Sequence, residues 1–412
     1  MAKPNKDTHC PAPWHLIRVR NVGAFGPCCH YQSDMSEAQS HNMQSMTVSD
    51  YRSGVRMTQL RQDMLNGLRP KRCSHCFQEE STKKISLRQK LNNQYTDWNK
   101  DYSADQPGPL KEIQIELGNL CNYKCVTCFP EFSTQVGNDW KKLNWLDSKD
   151  RPKYLASDFT NDQSSLHIGL YFDQKYIDSF NANISDLDSV RILGGEPLIN
   201  PMIDQYIDLF DPEHAGRVQL LIATNCSVWR PDLLTKFRKF GRVKLSLSID
   251  ATGDLYDYIR HKGRWSEVEK NLRLFQDGMD EFGYIPTVTV TVSVYNLVNL
   301  VDIIEQLTYL LPRIKIVLNP VYDPSVLDIS IMPDQLKSCY IDRVKTAKIN
   351  PLYQHKIWLQ IEMFSFARRL KETSYDSVRW NQFVEYTQSL ESIRNNSITD
   401  LVPEIKPWFN LD

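Results

Sequence analysis

The chain carries ten cysteines, and most of them fall into two groups. Cys121, Cys125 and Cys128 share one short segment, GNLCNYKCVTC. Cys10, Cys28, Cys73 and Cys76 lie nearer the start, with Cys29 adjoining Cys28. Thiolates at such spacings are metal ligands. Three of them in a C-x3-C-x2-C array can wrap a compact site from a single loop. A closed structural zinc or a saturated 4Fe–4S cluster needs four ligands, so three local cysteines point to an iron with an open position for a substrate or cofactor. A zinc completed by a distant cysteine or histidine is the competing reading. The N-terminal four, with Cys73 and Cys76 as a C-x2-C pair, suit either one fully ligated 4Fe–4S cluster or a tetrahedral zinc, and spacing does not choose between them. Cys29 competes with Cys28, because adjacent residues do not easily bind one cluster together. Cys226 and Cys339 stand alone and read as small packed thiols, although a hydrogen-donor role for Cys226 is conceivable. His9, His30 and His75 flank cysteines and are candidates to hydrogen-bond sulfur.

The rest of the composition narrows the class. The opening residues contain no apolar run long enough for an export signal, so a disulfide framework is not expected and metal or catalytic use of cysteine is. Net charge is −1, which leaves no polybasic surface to bind nucleic acid or anionic lipid. No segment approaches the ~18 apolar residues of a membrane span. Hydrophobic residues make up 41% of the chain, enough for a real core. The expectation is a soluble cytoplasmic enzyme, and 412 residues allow two or three domains.

Elements that could position these groups are legible from residue 111 onward. Strand candidates are KEIQIEL (111–117), VRIL (190–193), VQLLIAT (218–224), VKLSLSI (243–249), TVTVTVS (287–293) and IKIVL (314–318). Helical patterns such as PDLLTKFRKF and NLVNLVDIIEQLTYLL separate them, and strands alternating with helices predict a parallel sheet. The fold expected is α/β, a partial (β/α)6 TIM-like barrel over 111–325. A cysteine-bearing module is expected over 1–92, a linker over 93–110 and a helical cap over 326–412. The polar stretch 146–188 reads as an insertion, a lid or substrate-binding element, in which Tyr171, Phe172 and Tyr176 either line a cavity or belong to the core. The cysteine loop follows the first strand directly, at the end where α/β sheets place their sites.

In order and spacing, four stations resemble the radical S-adenosylmethionine (SAM) superfamily over roughly 111–320. The first is the cysteine loop. After the second strand comes Gly194-Gly195-Glu196-Pro197, whose glycines let backbone approach a ligand closely. Thr224 and Asn225 end the third strand, Ser246, Ser248 and Asp250 lie on or after the fourth, and Arg260 follows. The resemblance implies that the cysteine loop holds a 4Fe–4S cluster, that GGEP meets the SAM amino group, and that the later polar residues face its ribose and carboxylate. It further implies reductive SAM cleavage to a 5′-deoxyadenosyl radical, which abstracts hydrogen from a substrate. One position departs from the pattern: the residue before the third cysteine, often aromatic in the family, is Thr127, with Phe129 just after.

CPAPW, VGAFGPCC, the C-x2-C pair and SLRQKLN resemble the twitch domain, a short relative of the SPASM auxiliary-cluster domain, set here before the core. That likeness implies a second, auxiliary 4Fe–4S cluster on Cys10, Cys28, Cys73 and Cys76, which would take up or relay an electron or support the fold. The implied partners are a peptide or small-molecule substrate and an electron donor such as flavodoxin or ferredoxin. Readings from other classes are an iron–sulfur electron-transfer or binding protein without SAM cleavage and a zinc-stabilised interaction protein. The phrase LESIRNNSITDLVPEIKPW near the end resembles a tail of some twitch-containing members and carries no assigned role.

Overall fold

The computed structural model describes residues 2–33, 35–81, 85–147, 149–155, 170–322, 324–347 and 357–409. Among them run strands β1 (Leu16–Val19), β2 (Phe25–Gly26), β3 (Glu112–Glu116), β4 (Lys124–Cys125), β5 (Ser189–Leu193), β6 (Gln219–Thr224), β7 (Arg242–Ser248), β8 (Arg260–His261), β9 (Tyr284–Val292) and β10 (Lys315–Pro320). Every strand candidate from the sequence is a strand, with ends shifted by up to a few residues. The physical cause is plainest in β9, where Val288, Val290 and Val292 are buried while Thr287, Thr289 and Thr291 are half-buried. A pleated strand turns alternate side chains to opposite faces, so this sequence fits one buried face.

The chain forms two compact units. One comprises Met1–Asn119, Ile168–Ile222 and Leu233–Val243. Its strands lie in the order β6-β5-β3-β1-β2. The pairs β5–β6, β3–β5 and β1–β3 are parallel, and β2 closes antiparallel on β1. Leu16 to Val19 run in register with Glu112 to Ile115. This pairing places the N-terminal cysteine stretch in the same compact unit as β3. The expected linker is also packed down: Trp14 Nε1 donates to Ser103 O at 2.8 Å, and the buried Arg61 donates to the carbonyl of Ala104. Residues 156–169 of the expected insertion lie outside the described residues. Of its aromatics, Tyr171 is exposed, whereas Phe172 and Tyr176 pack with Phe180, Tyr206 and Phe210 as core.

The second unit comprises Leu120–His167, Ala223–Asp232 and Lys244–Asp412. In it β9 and β10 pair in parallel, and β4 and β8 form a short antiparallel ribbon. Its C-terminal part is helical, as expected, with helices Asp334–Ala347, Ile357–Lys371 and Ser377–Arg394. Trp380 and Phe383 of the last helix are buried, and Phe383 meets Tyr295 edge-on. Helix and sheet pack on one another because each has a single apolar face to remove from water.

Candidate metal and cofactor site

The three-cysteine loop is built on the β4–β8 ribbon. Lys124 stands opposite His261 and Cys125 opposite Arg260. Val126 N donates to Ile259 O at 2.9 Å, and Cys128 N to Cys125 O at 3.2 Å, which turns the chain between Cys125 and Cys128. Ser133 Oγ donates to Tyr123 O at 2.8 Å and also caps the helix Thr134–Lys142, so the segment after the loop is anchored to it. The Cys128 thiol is pushed well up, first by burial and then by the neighbouring Cys125 and Cys121, while the Phe129 amide opposes this. Burial also raises Cys125, with the Arg260 and Arg394 guanidiniums pulling the other way. Buried thiols of this kind hold their protons until a cation replaces them.

The polar positions of this unit divide by partner. Asn225 Nδ2 donates to Asn122 Oδ1 at 2.9 Å, joining the end of β6 to the cysteine loop. Thr224 Oγ1 accepts from Cys226 N at 3.1 Å. Cys226 itself is fully buried at a positive φ of 61°, with Asn271 donating to its carbonyl at 2.9 Å; it packs as a small apolar side chain. Ser246 and Ser248 share the half-buried face of β7, and Ser246 hydrogen-bonds Thr289 Oγ1 at 2.8 Å. Asp250 and Arg260 are buried against each other at 2.9 Å, and Asp250 also accepts from Thr291 N at 2.9 Å. Sequence reasoning passed over Asn122, Thr289, Thr291 and Asn296, whose amide donates to Asp250 O at 2.7 Å. Nothing in their local spacing marks them, because each acts across strands.

The GGEP turn belongs to the first unit. Gly194 has φ 89°, and a Cβ there would stand 2.7 Å from Gly118 O and 3.0 Å from Glu116 Cα. Only glycine fits such a close approach in the left-handed region. Gly195 follows at φ 53°. The buried Glu196 accepts from Leu198 N at 3.0 Å, so its carboxylate caps the turn that Pro197 begins. Beneath, Arg18 of β1 grips the buried Glu116, whose other oxygen accepts from Asn21 N at 3.2 Å. Arg18 also donates to Cys29 O at 3.2 Å.

The N-terminal set comes together within the same unit. Cys10 and Cys76 are buried and Cys28 and Cys73 half-buried, whereas Cys29 is exposed. Burial raises all four thiols of the set. The neighbouring thiols add to it: Cys73 and Cys76 act on Cys10, Cys10 and Cys76 on Cys28, and Cys28 and Cys76 on Cys73. Backbone amides favour the thiolate form, from Ala12 toward Cys10, His30 toward Cys28 and Arg88 toward Cys76. Arg88 organises the far side: it pairs with Glu80 at 2.5 Å and donates to His9 O at 2.9 Å. The likeness of SLRQKLN to a twitch segment thus falls on a residue that joins both ends of the set. His30 Nδ1 lies 3.5 Å from Cys76 Sγ, and His30, His75 and Glu79 bring their ligand atoms within 4.8 Å of one another. Among the described residues neither cysteine set draws three thiols that close. His9 is enclosed by Trp14, Trp98 and Tyr102, a core histidine held neutral as burial lowers its pKa to about 4.

Fold and site together define an α/β protein with a mostly parallel sheet, a three-cysteine loop and a second cysteine set. No protein-family model matches the chain. Over 150 residues, 36% of its length, it is 25% identical to the radical SAM cyclopropyl synthase TigE of Paramaledivibacter caminithermalis. The matched stretch spans 29% of that curated relative. Among solved structures, anSMEcpe with bound AdoMet and a peptide is 12% identical, covering 58% of this chain and 59% of that one, at a TM-score of 0.38. SuiB of Streptococcus suis bound to S-adenosylmethionine is 15% identical, covering 85% and 74%, at a TM-score of 0.32. Among the described residues no helix is long and apolar enough to cross a membrane.

Proposed function

We propose that this chain is a radical SAM enzyme holding two iron–sulfur clusters. Cys121, Cys125 and Cys128 bind a 4Fe–4S cluster with one open iron, and Cys10, Cys28, Cys73 and Cys76 bind an auxiliary cluster in a twitch-like module. The observation that carries the reading is the three-cysteine loop held on the paired β4–β8 ribbon, supported by the stretch of similarity to a radical SAM synthase. When bound, the open cluster and SAM supply the one-electron chemistry that yields 5′-deoxyadenosine and a substrate radical.

The chain's own residues bind and orient. Gly194 to Pro197 meet the SAM amino group, with Gly194 and Gly195 leaving the backbone open to close approach. Thr224, Asn225, Ser246 and Ser248 face the ribose. Asp250 and Arg260 complete the set as an already paired couple, so they enter with fixed geometry. The core is a partial (β/α)6 barrel over 111–325, preceded by the module 1–92 and linker 93–110 and followed by the helical region 326–412. The substrate is a peptide or a small metabolite, the reductant a flavodoxin or ferredoxin, and the compartment the cytoplasm.

The test is SAM turnover by the anaerobically reconstituted, reduced protein. Production of 5′-deoxyadenosine that vanishes in a Cys121/Cys125/Cys128→Ala variant supports the reading; its absence from the wild type overturns it. Iron should fall from about eight to about four per chain in that variant. Four falling to none would leave the radical core and remove the auxiliary cluster.

A further inference from the structure

The C-terminal helix Ser377–Arg394 reaches the cysteine loop at two points. Tyr386 donates its hydroxyl to Val126 O at 2.8 Å, between Cys125 and Cys128, and its ring stacks on Trp145. Eight residues later, on the same helix face, Arg394 Nε donates to Asp139 Oδ2 at 3.0 Å. The other oxygen of Asp139 takes the ammonium of Lys124, the residue just before Cys125. Asp139 is fully buried, and the side chains of Lys124 and Arg394 are nearly so. Glu391 of the same helix accepts from Tyr258 at 2.8 Å and from Ile398 N at 2.6 Å, which holds the helix end in place.

Two cations on one carboxylate leave one positive charge in excess, beside a loop of thiols and largely shielded from water. Reduction adds an electron to a cluster, and an uncompensated positive charge at low dielectric stabilises the reduced form. We infer that Lys124, Asp139 and Arg394 form a buried charge triad that positions the three-cysteine loop and sets the reduction potential of the cluster bound there. Arg394 is thus a positioning residue supplied by the C-terminal region, and LESIRNN is part of the radical site. The inference rests on the reading of Cys121, Cys125 and Cys128 as cluster ligands.

A structural role and an electrostatic one predict different signs. Arg394→Gln leaves Lys124 and Asp139 as a neutral pair, so the potential should become more negative. Asp139→Asn leaves both cations uncompensated, so it should become more positive. Arg394→Lys keeps the charge and should stay near the wild type. Arg379→Ala, at the far end of the same helix and paired only with Asp376 in the contacts described, should change nothing.

The measurement is an EPR-monitored redox titration of the full-length reconstituted protein, following the signal that responds to added SAM. Opposite shifts in Arg394→Gln and Asp139→Asn support the triad. Equal or same-sign shifts overturn it, as does a shift in Arg394→Lys as large as in Arg394→Gln. If Arg394→Gln does not fold, the pair Asp139→Asn and Arg394→Lys decides: an unshifted Asp139→Asn overturns the triad. Wild-type protein without a SAM-responsive signal would instead sink the functional reading on which the triad depends.

Discussion

Asn225 donates its side-chain amide to Oδ1 of Asn122 at 2.9 Å, so the residue after Cys121 is held by the segment that ends β6. Asn225 Oδ1 meanwhile accepts from Ser227 N at 2.9 Å, so one amide joins two turns. Replacing Asn225 by Asp keeps the acceptor and loses the donor. We predict that Asn225→Asp retains its iron but cleaves SAM about tenfold more slowly, equivalent to ~1.4 kcal/mol, the worth of one such bond. Single-turnover formation of 5′-deoxyadenosine tests this, and an unchanged rate would show that the bond positions nothing that matters.

Gly194 should tolerate no side chain. In Gly194→Ala the new Cβ meets backbone, Gly118 O at 2.7 Å, at a φ of 89° that alanine avoids. A cost of roughly 1–3 kcal/mol is expected from strain of this kind. Thermal unfolding should show a lowered Tm, and equilibrium dialysis with SAM a weakened affinity. Wild-type stability in the variant would mean that the turn relaxes freely.

Arg88→Leu should empty the N-terminal set and spare the other. The substitution leaves the largely buried Glu80 without the Arg88 guanidinium and removes one of the two donors to the carbonyl of His9, Asn92 Nδ2 being the other. Breaking a buried pair from one side costs about 3–5 kcal/mol. Iron and sulfide analysis should give about half the wild-type content with SAM cleavage retained. Full iron would show that the clasp is dispensable.

Stability should decline on the acid side in part through His261. Burial lowers its pKa to about 4, with Arg394 and Lys124 adding repulsion. The folded state therefore resists a proton that the unfolded chain accepts near its ordinary value of ~6.5. This contribution is complete above that value and is lost as pH falls toward 4. In His261→Gln the drop in Tm between pH 7 and pH 5 should shrink; an identical drop would assign the acid sensitivity elsewhere.

Much of this molecule is local in origin. The alternation of valine and threonine in β9 is enough to make a strand with one buried face. The spacing of Cys121, Cys125 and Cys128 is enough to put three thiols on one short loop, and two consecutive glycines at 194 and 195 mark a backbone that turns left-handed. These features were legible because each is decided by residues a few positions apart. The pairing of β1 with β3 was not, since nearly a hundred residues separate them and the N-terminal stretch reads as a module of its own. Neither was the pairing of Asp250 with Arg260, which face each other across the fold rather than along one element.

The sequence by itself determined the strands, the two cysteine sets and the helical character of the C-terminal region, because periodicity, ligand spacing and propensity act over short range. The tertiary structure alone decided that Arg88 joins the ends of the N-terminal set, and that Tyr386 and Arg394 brace a loop about 260 residues earlier in the chain. A buried charge finds its counter-charge wherever packing brings one within reach. The free energy that selects the partner, the cost of leaving either charge alone in the interior, has no signature in the residues beside it.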